Sequence, residues 1–260
     1  MDILVEAKKL FKEKYGWASF FKENFHLIEK VVSVIEKKGG EFYPPARDVF
    51  RIYRKLRPEK IKVVILGQDP YHSENSDGLP VAIGYAFSVR QSEGQLSKLA
   101  PSLLNIFKVI EKTTGKKSIC HPHGDLTAWV EQGVFLLNTS LTVIPGIAGS
   151  HGNIWEGFIR RTLAFISKRA SSTPLEAIED SDSESDDEEK GESFQIDRKF
   201  FPIALLWGAK AQAFKNEFQG EILTTSHPSP FSASRGFLDS DHFRMANKIL
   251  ISNSLTPINW

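Results

Sequence analysis

The pattern of apolar and polar positions along the chain predicts strands that alternate with helices. Nearly continuous apolar runs, typical of buried strands, occupy residues 62–68, 134–140, 202–207 and 221–226. Amphipathic segments, with apolar positions three or four residues apart, occupy residues 1–40, 101–112, 125–132, 154–169, 209–217 and 242–251. Buried strands that alternate with helices imply a parallel sheet with helices on both faces. We therefore expect an α/β fold with a central, four-stranded, mainly parallel sheet, in a single domain over residues 1–260.

The segment 171–197 departs from this pattern. Its centre, residues 176–192, holds ten acidic side chains and one basic side chain. Because it has few apolar residues to offset the entropy of ordering, we predict a disordered acidic insertion between a helix and the third strand. It is either a solvated spacer or a contact for a protein partner. Ser181, Ser183 and Ser185 lie beside acidic residues and are candidate phosphorylation sites.

The formal net charge of +1 hides a basic body. Without residues 176–192, the chain carries 32 basic and 22 acidic side chains, a net charge of +10. Such an excess suits a polyanionic partner such as nucleic acid, although many soluble proteins are modestly basic.

Cysteine content and hydropathy limit the cellular compartment. Cys120 is the single cysteine, so no internal disulfide can form, which fits a reducing intracellular compartment, the nucleus or the cytoplasm. No apolar run approaches the roughly 18 residues of a membrane span. The first residues, MDILVEAKKLFKEKYG, indicate an amphipathic helix and not a secretion signal.

Polar side chains follow the predicted strands at the points where the strands end. Asp69 and His72 follow the first strand, Asn138 lies at the end of the second, and His227 follows the fourth. Because the carboxyl ends of parallel strands share one edge of a sheet, where ligands bind, we expect these groups to converge. Gly67 is expected to let the backbone turn out of the first strand.

Each of these residues also has a plainer interpretation. An Asp after a strand most often caps a turn, and a lone His is more often packed than catalytic. His121 and His123 form an H-x-H pair, but no second pair with metal-ligand spacing lies near, so a zinc site is not expected. An Asp–His–Ser acyl hydrolase is a rival enzyme class. The chain lacks the G-x-S-x-G elbow of many such enzymes, and it also lacks a P-loop and a dinucleotide-binding glycine motif.

The segment HPSPFSASRGF at 227–237 predicts a stiff loop. Pro228 and Pro230 restrict the residues before them to extended backbone. The serines and backbone amides of this loop can hold phosphates, and an exposed Phe231 can wedge into a base stack. The alternative is a surface Phe that packs on a neighbouring side chain.

Two of these segments, GQDPYH at 67–72 and HPSPFSASRGF at 227–237, resemble the signature loops of the family 1 uracil-DNA glycosylases. The resemblance continues in order through YPPARDVF, KVVILGQDPYH, AFSV, PSLLNIFK, HGDLTAWVEQGVFLLNTSLTV, LLWGAKAQ and PINW, and omits the acidic insertion. It implies an enzyme that flips deoxyuridine out of DNA and hydrolyses the N-glycosidic bond, the first step of base excision repair. Uracil and an abasic site would be the products. The implied partner is uracil-containing DNA, single- or double-stranded, and no metal or organic cofactor is implied; we expect a monomer.

The resemblance also implies roles for residues of this chain. Asp69 would stabilise a cationic sugar and position the attacking water, and His227 would donate a hydrogen bond to uracil O2. The uracil base would be bound by Gln68, Tyr71, Phe87 and Asn138, and the water site would be shaped by Pro70 and His72. The DNA backbone and base stack would be contacted by Ser102, Gly208, Ser229, Phe231, Ser232 and Arg235.

The chain departs from the family pattern at several places, which include a slightly shorter loop, IPGIAGSHGNIWE, after the second strand. Ala209 replaces the usual Ser, which leaves only backbone amides to hold a phosphate there, and Phe231 stands at the position of the usual Leu. The stretch 73–85 differs in sequence and is longer than usual. A rival function on the same fold is a DNA-tethering or replication-associated binding subunit, which the retained catalytic residues disfavour as a sole role.

Overall fold

Four parallel strands form the centre of the fold. The structure, a computed structural model, describes residues 2–90, 99–169 and 200–260; the predicted insertion at 171–197 lies outside the described residues. The strands are β1 (Val63–Gly67), β2 (Val134–Asn138), β3 (Ile203–Trp207) and β4 (Ile222–Thr225), in the spatial order β2-β1-β3-β4. All three pairings are parallel, which confirms the predicted fold class.

The register of the sheet brings the strand ends together. Gly67 at the end of β1 pairs with Asn138 at the end of β2, and Trp207 at the end of β3 pairs with Thr225 at the end of β4. Every residue of β1, β2 and β3 is buried, as expected for strands covered on both faces. The loops that leave the carboxyl ends of the strands therefore lie at one edge of the sheet.

Helices of varied length cover the sheet. Their bounds are α1 (Asp2–Lys9), α2 (Ala18–Lys37), α3 (Ala46–Val49), α4 (Arg51–Lys55), α5 (Pro101–Thr114), α6 (Thr127–Glu131), α7 (Glu156–Arg169), α8 (Ala209–Gln212) and α9 (His242–Ser252). The predicted helical stretch 1–40 is divided into two helices by a 3₁₀ turn that ends at Gly16, whose φ is +72°. The predicted stretch 209–217 is likewise α8 followed by a separate 3₁₀ turn.

Two aromatic clusters form much of the core. In the first, Trp17 stacks on Phe135 of β2 with ring centroids 5.6 Å apart, and its indole N–H donates to the carbonyl of Leu56 at 2.9 Å. In the second, the C-terminal Trp260 packs edge-on against Trp129 of α6, with ring centroids 5.3 Å apart. Buried aromatic rings of this size supply large apolar area, so the two clusters fix the helices on the sheet.

Candidate active site

Gly67 and Asn138 meet at the ends of β1 and β2. Asn138 is buried, and a Cβ on Gly67 would lie 2.2 Å from the Asn138 side-chain oxygen and 2.9 Å from the Ala86 Cβ. Gly67 is the last residue of β1, and its φ is not positive. The expectation that it serves to turn the backbone is therefore wrong, because what it provides is space for the Asn138 amide.

The β1 and β2 loops are joined by backbone hydrogen bonds. The N–H of Thr139 donates to the carbonyl of Gly67 at 2.9 Å, and the N–H of Ser140 donates to the carbonyl of Gln68 at 2.9 Å. The Thr139 hydroxyl donates to the same Gln68 carbonyl at 2.8 Å. The backbone of Gln68 is thus fixed from the β2 side, which holds the residue that follows it, Asp69.

Asp69 is partly buried at this edge. One of its carboxylate oxygens, Oδ2, accepts a hydrogen bond from the N–H of Gly149 at 2.9 Å. Gly149 lies in the loop between β2 and α7, and the N–H of Gly146 in the same loop donates to the carbonyl of His72 at 2.8 Å. The loop therefore orients the carboxylate through one oxygen.

Tyr71 and Phe87 form an aromatic wall. The Tyr71 hydroxyl donates to the carbonyl of Phe87 at 3.1 Å, and burial raises the pKa of this phenol, so it stays neutral. Phe87 has a φ of +63°, a left-handed conformation that is strained for a bulky residue and clusters at functional sites. Its ring centroid lies 5.6 Å from that of Trp207 and 5.9 Å from that of His227.

His227 faces this wall from the β4 loop. Its Nδ1 accepts a hydrogen bond from the N–H of Ser229 at 3.1 Å, so the neutral ring carries its proton on Nε2. Burial lowers the pKa of this imidazole below its usual 6.5; the Asp69 charge opposes that shift, and the Lys210 charge adds to it. A Cβ on Gly208, whose φ is +85°, would lie 2.9 Å from the His227 Cβ.

The loop 227–237 is ordered by its own hydrogen bonds. The Ser232 hydroxyl donates to the carbonyl of His227 at 2.9 Å and lies 3.0 Å from the Ser229 hydroxyl. Arg235 donates to the carbonyl of Phe231 at 2.9 Å, while the Phe231 side chain is 91% exposed at the tip. A side chain this exposed does not pack on a neighbouring residue, and the role of Phe231 as a wedge stays a prediction.

Helix α5 joins the same edge. Asn105, the fifth residue of α5, donates from its amide to the carbonyl of Pro228 at 2.9 Å, which attaches the N-terminal half of the helix to loop 227–237. Ser102 is the second residue of α5 and is partly buried. The predicted phosphate-contacting serines of the two segments therefore belong to elements that touch each other.

The unusual stretch 73–85 between Tyr71 and Phe87 is a small antiparallel loop. The N–H of Val81 donates to the carbonyl of Ser73 at 3.0 Å, and the N–H of Arg90 donates to the carbonyl of Val81 at 2.9 Å. The Arg90 guanidinium donates to the carbonyl of Pro80 at 2.9 Å and to the Asp48 carboxylate at 3.3 Å. The longer connection is thus stabilised by hydrogen bonds of its own and by the contact of Arg90 with Asp48.

Pro70 and His72, which were predicted to shape the water site, lie in the loop that follows β1. Pro70 is buried, and His72 is partly buried with an Nδ1 atom that finds no hydrogen-bond partner within the described ranges. His121 packs edge-on against Phe107, and the Nδ1 of His123 accepts from the N–H of Asp125 at 3.1 Å.

The structure also brings residues to the site that the sequence did not single out. Gly149 holds Asp69, and Thr139 holds Gln68. A cleft with an empty volume of about 540 Å³ opens beside Asp69 and is lined by Gln68, Asp69, Thr139, Gly152, Asn153, Glu156, Lys210, Ala213 and Phe214. The sequence did not indicate the contact that Gly149 makes, because this contact uses a backbone N–H and not a side chain.

Comparison with known proteins identifies the family. The family model of the Uracil DNA glycosylase superfamily matches residues 54–251, most of the chain. The chain belongs to this superfamily. Among curated members, the uracil-DNA glycosylase of Amoebophilus asiaticus is 35% identical over 256 residues, covering 94% of this chain and 97% of its own length. That of Neisseria meningitidis serogroup C is 40% identical over 240 residues, covering 91% of this chain and 92% of its own.

Solved structures of the superfamily agree with the fold. The crystal structure of mimivirus uracil-DNA glycosylase matches with a TM-score of 0.78 and 28% identity, covering 100% of this chain and 90% of that one. Of the helices in the described part of the chain, none has the length and apolar character needed to cross a membrane.

Proposed function

We propose that this protein releases uracil from DNA by hydrolysing the N-glycosidic bond of deoxyuridine, leaving an abasic site as the first step of base excision repair. The observation that carries the proposal is the convergence of Asp69, Asn138 and His227 at one edge of the sheet, beside the Tyr71–Phe87 wall. A base-reading amide, an aromatic face, a neutral imidazole and a carboxylate are the groups that this reaction requires.

Asn138 reads the flipped base in this proposal. Its amide offers one donor and one acceptor, which match the O4 acceptor and the N3–H donor of uracil. Cytosine presents an amino donor and a bare ring nitrogen at the same positions. Because the Asn138 amide is buried and confined by Gly67, it cannot easily rotate to suit cytosine.

Tyr71 and Phe87 select the shape of the base. Phe87 stacks on the uracil ring, and Tyr71 stands against C5, where thymine carries a methyl group. The hydrogen bond from the Tyr71 hydroxyl to the Phe87 carbonyl supports this role, because it holds the two rings as one wall. Gln68 borders the same pocket and has its carbonyl fixed by two donors from the β2 loop.

Bond cleavage creates an oxocarbenium-like sugar and a uracil anion, as in other glycoside hydrolyses. The Asp69 carboxylate stabilises the cation and positions or deprotonates the attacking water, in a site whose walls include Pro70 and His72. His227 donates from Nε2 to uracil O2 as charge builds there. The Ser229 N–H on Nδ1 and the lowered pKa support a neutral imidazole in this role.

Base extrusion is the work of the surrounding loops. Ser102, Ser229 and Ser232, with the Gly208 backbone and Arg235, contact the DNA backbone, and Phe231 fills the vacated stack. These contacts offset the few kcal/mol that unstacking and unpairing cost. We further propose that the protein acts as a monomer in the nucleus or cytoplasm on single- or double-stranded DNA, without a metal or organic cofactor. The acidic insertion 171–197 remains a candidate contact for a protein partner.

The test is release of free uracil from an oligonucleotide with one deoxyuridine, in EDTA at neutral pH. We expect release without strand cleavage, and we expect Asp69→Asn and His227→Leu each to lower kcat by at least about 100-fold. Matched controls are Asp2→Asn and His26→Leu, which make the same changes at exposed positions of α1 and α2. No release by the unaltered protein would overturn the function, and small effects of both site variants would overturn the assigned roles.

A further inference from the structure

Lys210 lies beside the active site without a role in the chemistry described above. It is the second residue of α8, which begins directly after β3 and Gly208. The N–H of Gly208 donates to the carbonyl of Thr225 at 2.8 Å, and Gly208 packs against His227. The start of α8 is thereby fixed next to the His227 loop.

Two neighbouring clefts share Lys210 in their linings. The first is the cleft of about 540 Å³ beside Asp69. The second, with an empty volume of about 360 Å³, is lined by His227, Trp207 and Gly208 among others. Gln68 is the other residue common to both. Lys210 therefore stands on the boundary between the proposed sugar side of the site and the proposed base side.

The charges around Lys210 leave its ammonium available to a ligand. Lys210 is exposed, and within residues 2–90, 99–169 and 200–260 no carboxylate forms an ion pair with it. Two acids line the same cleft: Glu156 is paired with Arg160 at 2.9 Å, and the Asp69 carboxylate accepts a hydrogen bond from the Gly149 N–H at 2.9 Å. Ala209 offers no side-chain donor, so Lys210 is the polar side chain at the start of α8 that can reach an anion.

From this position we infer that Lys210 binds the DNA phosphate adjacent to the flipped nucleotide. This inference rests on the proposed function, because it requires DNA in the site. Lys210 and Asp69 line the same cleft, so in this inference the phosphodiesters of a nucleotide whose sugar lies near Asp69 pass close to the Lys210 ammonium. A lysine ammonium is a compact point charge suited to such a phosphate. It supplies as a charge what Ala209 cannot supply as a hydroxyl.

The charge of Lys210 also acts on the neighbouring His227. The Lys210 charge is one of the influences that lower the pKa of His227, after burial, and Asp69 opposes them. Removing Lys210 raises the pKa of His227, so the acid limb of the pH–kcat profile moves to higher pH. Because this shift follows from the Lys210 charge alone, the phosphate contact itself is tested by replacing single phosphates of the substrate.

The experiment compares Lys210→Ala and Lys210→Arg with a matched control, Lys248→Ala. Lys248 is an exposed lysine of α9, and its neighbour Asn247 donates to the carbonyl of Ile258 at 2.8 Å. The carbonyl of Thr256, two residues before Ile258, accepts a hydrogen bond from the Lys62 ammonium. Because Lys62 directly precedes β1, this region lies at the amino-end edge of the sheet, opposite the candidate site. The substrates are deoxyuridine oligonucleotides in which one phosphate at a time, near the target, is replaced by a neutral methylphosphonate.

We expect Lys210→Ala to lower kcat/KM by about tenfold, while Lys210→Arg retains activity. In a plot of log(kcat/KM) against the logarithm of the salt concentration, Lys210→Ala should make the slope shallower by about 1. One methylphosphonate should lower the activity of the unaltered protein by a similar factor and cause little further loss in Lys210→Ala. The inference would be overturned if the losses caused by Lys210→Ala and by the methylphosphonate were additive at every phosphate position. It would also be overturned if Lys210→Ala had the same activity as Lys248→Ala.

The same comparison separates the two proposals. If the unaltered protein released no uracil, the proposed function would fail, and the variants would be compared by fluorescence anisotropy on DNA with a tetrahydrofuran abasic analogue. A methylphosphonate effect that disappears in Lys210→Ala would then support the phosphate contact alone. Its absence in that binding assay would overturn the contact as well.

Discussion

The contact between Gly67 and Asn138 makes Gly67→Ala an informative single substitution. The new Cβ would lie 2.2 Å from the Asn138 side-chain oxygen, and ordinary van der Waals contact begins at 3.4 Å. The backbone of Gly67 cannot move away, because its carbonyl accepts the Thr139 N–H and the strand pairs with β2 and β3. The Asn138 amide must therefore retreat by the difference, 1.2 Å.

A displacement of that size is large for a group that we propose to match a base edge. Misplacing a positioning group by about 1 Å costs on the order of 100-fold in rate, or about 2.7 kcal/mol of transition-state stabilisation. The extra methyl group also meets the Ala86 Cβ at 2.9 Å, and overpacking of this kind costs about 1–3 kcal/mol of stability. We expect kcat/KM for uracil release to fall about 100-fold in a protein that remains folded.

The assay measures steady-state uracil release together with thermal unfolding. The control is Gly157→Ala, the same change in α7, where an added Cβ meets no atom within 4 Å. That control should retain full activity and melt at the same temperature or slightly higher, since Ala favours a helix over Gly. Wild-type kcat/KM in Gly67→Ala would refute the reasoning, because it would mean that the Asn138 amide need not occupy its present position.

Three further changes test other parts of the site and the core. Phe231→Ala should leave the melting temperature unchanged, because the side chain is 91% exposed, and should slow uracil release from duplex DNA more than from single strands; equal slowing would contradict the wedge. Tyr71→Ala should allow measurable release of thymine, and continued exclusion of thymine would refute the steric role. His242 accepts a hydrogen bond from the Trp207 indole, and burial lowers its pKa to about 4. Because the unfolded chain binds that proton below pH 6.5, the free energy of unfolding should fall by up to about 3 kcal/mol between pH 6.5 and 4. Chemical denaturation of His242→Gln should show a shallower decline, and an unchanged slope would count against this assignment.

The sheet was predictable because its strands are buried on both faces and read as continuous apolar runs. The strand predicted at 134–140 is two residues too long at its carboxyl end. Thr139 and Ser140 still donate hydrogen bonds to Gly67 and Gln68 after β2 has ended. The break between α1 and α2 was missed because the apolar spacing continues across it, while Gly16 ends the intervening turn in a left-handed conformation.

The site was predictable to the extent that its chemistry resides in side chains. Asp69 and His227 follow strand ends and Asn138 is the last residue of β2, and a parallel sheet places such ends on one edge. The role of Gly149 was not predictable, because a backbone N–H leaves no mark on residue type. The steric role of Gly67 was also hidden, since it depends on the register that pairs Gly67 with Asn138.

The hydrogen bonds that join the β1 and β2 loops have a consequence for protein engineering. The Thr139 and Ser140 N–H groups fix the Gly67 and Gln68 carbonyls, so the segment with Asp69 and the segment with Asn138 form one mechanical unit. A graft that transplants only one of these loops from a relative would leave the other without its anchor points. Redesign of base preference on this scaffold should therefore exchange both segments together, or change only side chains that leave those backbone bonds intact.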